Sequence, residues 1–237
     1  MKRVAILQTG VNNSELPAHY PDYPSMFRSL IGKAQSNPLI ELISFPVLEG
    51  PFFPDIKRFD GFIITGSASG VYENKQWMKK LFSFIKAVHN ERKKLAGFCF
   101  GHQAIALALG GEVVKSKKGW GAGIKKHSIY NSKEWMRPQL DKLQLIYMHQ
   151  DQVVKLPSSA VLLSGDDFCP FSAFTIDEHI MSMQGHPEFS RKFVKDLIKL
   201  RAENIGYERT NAALDSLSVP HDGAVVGEWI VNFFCST

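Results

Sequence analysis

Three side chains in this sequence have the types and the setting for nucleophilic attack on a carbonyl carbon: the thiol of Cys99, the imidazole of His186 and the carboxylate of Glu188. Cys99 lies in Gly97-Phe98-Cys99-Phe100-Gly101-His102-Gln103, between a short apolar run starting at Lys94 and the helix-favouring run 103–109. That context predicts a turn from a buried strand into a helix. The unpaired N–H groups of a helix N-terminus carry partial positive charge, which favours the thiolate and so makes the sulfur nucleophilic. The flanking glycines permit a strained turn and a close approach by substrate. A free cysteine is commonly no more than a small buried apolar residue. Here the surroundings favour a nucleophile.

A thiol nucleophile needs a base, and the base needs a group to orient it. Met183-Gln184-Gly185-His186-Pro187-Glu188-Phe189 supplies both. In extended backbone, residues two apart project to the same side, so Glu188 can hold the tautomer and stabilise the charged form of His186. Pro187 biases His186 away from helix. The apolar run 180–183 just before it places the pair at the end of a buried strand, the rim where open α/β sheets bind ligands.

The elbow Gly-Phe-Cys-Phe-Gly-His-Gln and the downstream Gly-His-Pro-Glu resemble the class I glutamine amidotransferases, in which a Cys-His-Glu triad hydrolyses the side-chain amide of glutamine. Thr65-Gly66-Ser67-Ala68-Ser69-Gly70-Val71-Tyr72-Glu73 is similar to that family's oxyanion loop. The loop commonly reads Gly-Gly-Pro followed by a serine, where this chain has Thr-Gly-Ser and Gly70. Met148-His149-Gln150-Asp151-Gln152-Val153 is similar to the family's Ser-His-X-Asp-X-Val segment. The matches keep the family's order from about Val4 to Glu188.

The resemblance implies roles residue by residue. Cys99, His186 and Glu188 become the catalytic triad. The N–H groups of Gly66 and Phe100 become the oxyanion hole, in which losing one donor typically costs roughly 10²–10³ in rate. Gln103, His149, Gln150 and Asp151 become substrate-binding residues. Taken alone, Gly66 reads more readily as an ordinary tight turn, and Gln103 reads also as a normal helix former. His102, three residues after Cys99 on a starting helix, is expected to pack beside the site and leave His186 as the base. The implied substrate is a small γ-glutamyl compound, attacked through a Cys99 thioester with no metal and no cofactor. Two enzymes fit: a stand-alone hydrolase like the γ-glutamyl peptidases of this fold, or a glutaminase subunit delivering ammonia to a separate synthase. The lack of a fused synthase and the long Pro/Tyr-rich segment favour the first. A catalytically idle regulatory module is a third reading, disfavoured by the intact trio.

Around these residues, strand-like runs at 4–9, 39–47, 59–65 and 95–98 alternate with helical patterns. Trp77, Leu81, Phe84, Ile85 and Val88 share one helix face. The alternation predicts an α/β fold, a doubly wound and mostly parallel sheet flanked by helices. After Gly111 shorter strands at 112–114, 124–129, 144–148, 160–164 and 174–176 predict a smaller antiparallel extension. Helices are expected again at 191–204 and 224–234. One domain over 1–237 is the economical organisation.

No run reaches the roughly 18 apolar residues of a membrane span. The start of the chain reads as a first strand rather than a signal peptide. Cys99, Cys169 and Cys235 are widely spaced and lack metal-type spacing, as expected of free thiols in a reducing cytoplasm. The net charge of +5 is modest, and no nucleic-acid-binding module is recognisable. Lys115, Lys117, Lys118, Lys125 and Lys126 cluster around Gly119-Trp120-Gly121-Ala122-Gly123 and suggest a patch for an anionic substrate or partner protein. The long segment 10–24 leaves the same rim as Cys99 and is expected to shape access.

Overall fold

The structure is a computed structural model that describes residues 1–35, 37–48, 50 and 53–236. Its first half alternates β1 (Lys2–Gln8), α1 (Tyr23–Lys33), β2 (Ile40–Pro46), β3 (Gly61–Ile64), α2 (Gln76–Asn90), β4 (Lys94–Phe98) and α3 (Phe100–Ala108). The strands β5 (Glu112–Lys115), β6 (Gly121–Ile129), β7 (Lys142–His149), β8 (Asp151–Lys155), β9 (Ala160–Gly165), β10 (Ala173–Ile176) and β11 (Ile180–Met183) follow. The chain closes with α4 (Arg191–Leu200), α5 (Ala202–Ile205), α6 (Tyr207–Ser216) and α7 (Gly223–Cys235).

Among the described residues nine strands form one sheet in the order β2-β1-β3-β4-β11-β10-β9-β6-β7, and β5 pairs with β8 separately. From β2 to β11 every pairing is parallel, and from β11 to β7 every pairing is antiparallel. The expected antiparallel extension therefore continues the main sheet. β3 and β11 are buried at every residue, as strands covered on both faces must be. Alternate residues face opposite layers: Ile63, Ala96 and Phe98 join Phe27, Val226 and Trp229 of α1 and α7, while Phe62, Ile64 and Leu95 join Leu81, Ile85 and Ile105 of α2 and α3. Each such large side chain contributes roughly 1.5–3 kcal/mol through burial. A third apolar cluster fixes α4 and α6 over the antiparallel half through Ile124, Ile146, Phe193 and Ala213.

Two expectations need correction. The helix expected over 191–204 is interrupted at Arg201, which lies outside helical geometry (φ −101°, ψ 13°) between α4 and α5. Helix α6 follows where none was expected. Its sequence, Tyr-Glu-Arg-Thr-Asn-Ala-Ala-Leu-Asp-Ser, buries only Thr210 and Ala213 and so shows little apolar periodicity.

Candidate active site

The strand order places β1 between β2 and β3, so successive crossovers leave β1 in opposite directions and open a crevice at the carboxyl ends of β1 and β3. Gly66 follows β3, Cys99 follows β4 and His186 follows β11, all on this rim.

Cys99 caps α3 with φ 51° and ψ −103°, a left-handed backbone that a side chain rarely adopts. Such strain costs about 1–3 kcal/mol and persists only where the surroundings enforce it. They do so here. The Cys99 N–H donates to the Met183 carbonyl at 2.9 Å, and the Gln103 N–H donates to the Cys99 carbonyl at 3.1 Å. A Cβ on Gly101 would lie 2.4 Å from the Ile64 carbonyl oxygen, and one on Gly97 would lie 2.5 Å from the Ile105 side chain. Only glycines let α3 press this closely on β3 and β4. The sulfur sits at the N-terminus of α3, and Cys99 is 6% exposed.

His186 is held at its backbone and on both sides of its ring. Its N–H donates to the Ile146 carbonyl at 2.8 Å, its ring stacks on Phe189 at 3.9 Å, and its Nδ1 lies 2.8 Å from Glu188 Oε1. A carboxylate can only accept, so Nδ1 carries the proton and Nε2 is left for the thiol. Burial alone would push the imidazole toward neutrality. The opposing Glu188 charge and the neighbouring Cys99 sulfur outweigh it and hold the His186 pKa above its ordinary value. The structure thus brings Cys99, His186 and Glu188 together.

Gly66 completes the arrangement. A Cβ there would lie 3.0 Å from His186 Cε1 and 3.8 Å from Cys99 Cβ, so this backbone forms the third wall around the sulfur. Phe100 opens α3, where the N–H has no intrahelical acceptor. The loop is pinned by Thr65 together with Thr9, a residue that no sequence motif marks. The Thr9 N–H donates to Thr65 Oγ1 at 3.0 Å, and the Thr9 hydroxyl donates to the Thr65 carbonyl at 2.8 Å. Each threonine directly follows one of two strands, β1 and β3, that pair in the sheet.

A cavity of about 220 Å³ opens beside Cys99, lined by Gly70, Tyr72, Gln103, His149, Gln150 and Asp151 among others. All four expected substrate-binding residues are there. Gln103 spends its amide N–H groups on the Asp151 carbonyl (2.9 Å) and Gln184 Oε1 (3.0 Å), which leaves Oε1 as its acceptor. The Asp151 side chain accepts from the Tyr72 hydroxyl at 2.8 Å. Trp120 and Arg201 also line this cavity, the guanidinium lying 5.6 Å from the indole centroid. Arg201 was beyond sequence reasoning because it reaches the site only through the break after α4.

His102 does not reach the sulfur's partners. It is fully buried, bonds to the Ser182 hydroxyl at 2.8 Å and packs on Phe174. Burial first, and the neighbouring His149 second, lower its pKa to about 3, so it is a neutral core residue. The segment 10–24 crosses to α4, where the Tyr20 hydroxyl donates to Asp196 at 2.5 Å, and it delivers Tyr23 near Cys99 and Glu188. No cluster with metal-ligand geometry and no helix long and apolar enough to cross a membrane occurs among the described residues.

Fold and rim geometry together define a cysteine site on a doubly wound sheet, and comparison with known proteins gives it a family. Residues 44–199 match the family model for glutamine amidotransferase class-I, and the chain belongs to that family. It is 32% identical to gamma-glutamyl peptidase 4 of Arabidopsis thaliana, with 76% of this chain and 72% of the relative covered. A gamma-glutamyl-L-1-hydroxyisopropylamide hydrolase from a Pseudomonas species is 26% identical, with 85% and 74% covered. A crystal structure of a glutamine amidotransferase from Thermotoga maritima superposes with a TM-score of 0.75 over 99% of each chain at 18% identity, a likeness of fold.

Proposed function

We propose that this chain, acting as a single domain without a synthase partner, hydrolyses the γ-glutamyl amide bond of small γ-glutamyl compounds through a thioester on Cys99. The convergence of a strained, helix-capping thiol with a carboxylate-oriented imidazole carries the reading. His186 takes the thiol proton and holds it as the imidazolium, and Cys99 Sγ then attacks the γ-carbonyl carbon. The N–H groups of Gly66 and Phe100 receive the oxyanion. As the tetrahedral adduct collapses, the C–N bond breaks and His186 passes its proton to the leaving amine. Water then attacks the thioester carbonyl, His186 takes a proton from it, and glutamate leaves as the C–S bond breaks and Sγ is released beside the imidazolium. Glu188 keeps Nδ1 protonated throughout, and Asp151 with the cavity beside it holds the glutamyl head. Free thiols at Cys99, Cys169 and Cys235 suit a reducing cytoplasm.

The relatives named as γ-glutamyl peptidase and γ-glutamyl amide hydrolase support this reading over the subunit reading. Glutamate release by the purified chain alone, measured over glutamine and several γ-glutamyl amides, tests it. Turnover without any partner is expected. Silence until a synthase is added would overturn it.

A further inference from the structure

A second cavity, of about 290 Å³, adjoins the first. Trp120 and His149 line both, so they form the partition between the Cys99 chamber and a chamber walled by Lys125, His127, Tyr147, Asp166, Phe168 and Arg209. The two chambers differ in charge. Ionisable groups in the first are balanced, Glu73 and Asp151 against Lys115 and Arg201, which suits the zwitterionic head of a glutamyl group. In the second, two cations, Lys125 and Arg209, face one acid, Asp166. Asp166 is already engaged, because its Oδ1 accepts the N–H groups of Phe168 and Cys169 at 2.9 and 2.7 Å. Of the five clustered lysines in the sequence, Lys115 and Lys125 are the two that line these chambers, one in each.

Two histidines that line the second chamber carry polar atoms not satisfied by the protein. His127 is 2% exposed and its Nδ1 has no hydrogen-bond partner among the described residues. His149 Nδ1 lies 3.0 Å from the Asp151 carbonyl, which can only accept, so Nδ1 carries the proton and Nε2 is an acceptor. That acceptor faces Gly121, where a Cβ would come within 2.8 Å of it and within 2.9 Å of Phe168. Glycine at 121 keeps this side of the partition open. Arg209 stands on α6 and is held against the 119–120 backbone, its guanidinium reaching toward the Trp120 carbonyl at 3.4 Å.

We propose that this second chamber is the leaving-group subsite of the same active centre, and that it selects γ-glutamyl compounds whose amine portion carries a carboxylate. The proposal rests on the hydrolase reading above. The glutamyl head occupies the Cys99 chamber, the amine portion passes Trp120, an N–H of that portion donates to His149 Nε2, and its carboxylate meets Lys125 and Arg209. A γ-glutamyl peptide fits this description, whereas a γ-glutamyl amino alcohol lacks the charge the subsite reads.

The test compares γ-glutamylalanine with γ-glutamylalaninamide, which differ only in that carboxylate. The wild-type enzyme is expected to prefer the acid by about tenfold or more in kcat/KM, the usual scale of a charge-assisted hydrogen bond. The preference should shrink as ionic strength rises. In the Lys125→Ala/Arg209→Ala double variant, and more mildly in Lys125→Gln/Arg209→Gln, the ratio should approach one. Equal use of the two substrates by the wild type, or an unchanged ratio in both variants, would overturn the proposal. Calorimetric binding of the same two compounds to Cys99→Ala protein probes the subsite independently of turnover. If no γ-glutamyl compound is hydrolysed, the functional reading fails, and a tighter Kd for the acid than for the amide still decides for the subsite, while equal Kd values decide against it.

Discussion

The parallel and antiparallel halves of the sheet build one cleft by different means. In the parallel half, local sequence dictates the geometry: Gly97 and Gly101 let α3 close on β4, and the chain turns so sharply that Cys99 is left at φ 51°. In the antiparallel half no short segment dictates anything. His186 reaches its place because β11 pairs with β4 on one side and the residues after it bridge to Ile146 of β7 on the other, far from each other in sequence. Nucleophile and base therefore depend on different physics, a strained turn against a long-range register, and substitutions can separate the two.

The largest effect falls on the nucleophile. Cys99→Ala and Cys99→Gly should each reduce hydrolysis by roughly 10⁴-fold or more, since removal of a nucleophile leaves only binding and the oxyanion donors. Their stabilities should differ in the same sense as at an ordinary N-cap, glycine above alanine. At φ 51° alanine retains the Cβ strain and glycine does not. Cys99→Gly is expected to unfold at a higher temperature than Cys99→Ala, by an amount equivalent to about 1 kcal/mol. Equal stabilities by calorimetry would mean that the elbow is not strained.

Glu188→Gln probes the other half. It keeps the shape and removes the charge that holds the imidazole protonated. We expect kcat/KM to fall by roughly 10²–10⁴. The pH profile carries the sharper signal. The His186 pKa is raised, so the imidazolium is retained through neutral pH and lost as pH climbs through that raised value. Without the Glu188 charge the value drops, and the alkaline limb of the profile should move to lower pH. A limb that stays in place would show that Glu188 only positions the ring.

The same contrast explains what could be read from the sequence. Cys99, the strand before it and the helix after it were legible because glycine, apolar run and helix former sit within a dozen residues. His186 and Glu188 were legible as a pair because their spacing is two, although the backbone at 187–188 is a turn and not the extended form expected, so the turn and not the strand alternation brings the carboxylate to Nδ1. The cleft that joins them was legible only through the family resemblance, since nothing in residues 99 and 186 themselves states that β11 lies beside β4. Strand β8 was not legible because it pairs with the short β5, outside the main sheet. Helix α6 was hidden because its polar surface masks its period, and with it went Arg209 and the second chamber. The halt at Arg201 has no proline or glycine to announce it, and the glycine that separates α5 from α6 lies five residues later, at Gly206 with φ 88°.

A pair of glycine substitutions, smaller in effect, tests whether the halves really fail differently. In Gly101→Ala the new Cβ meets backbone, the Ile64 carbonyl at 2.4 Å, and neither β3 nor α3 can yield without disturbing the buried layer between them. The expected cost is about 1–3 kcal/mol of stability, the range for overpacking a core, with activity falling as the elbow shifts. In Gly185→Ala the Cβ meets side-chain atoms and no backbone, Leu145 Cβ and Cδ1 at 3.0 Å and Tyr147 Cζ at 3.1 Å, so the neighbours must give by only a few tenths of an ångström. Stability should fall by less than about 1 kcal/mol, because soft contacts relax. Yet Gly185 immediately precedes His186, and lifting it off β7 moves the imidazole against a sulfur that stays fixed by the other half. Misplacement on the order of 1 Å can cost about 10²-fold, so a shift of a few tenths should cost several-fold to about tenfold in kcat with little change in unfolding temperature. Thermal unfolding and kcat measured on both variants decide the matter. If both lose stability and activity in the same proportion, the two halves form one mechanical unit, and the register of the antiparallel strands contributes nothing separable from the packing of the elbow.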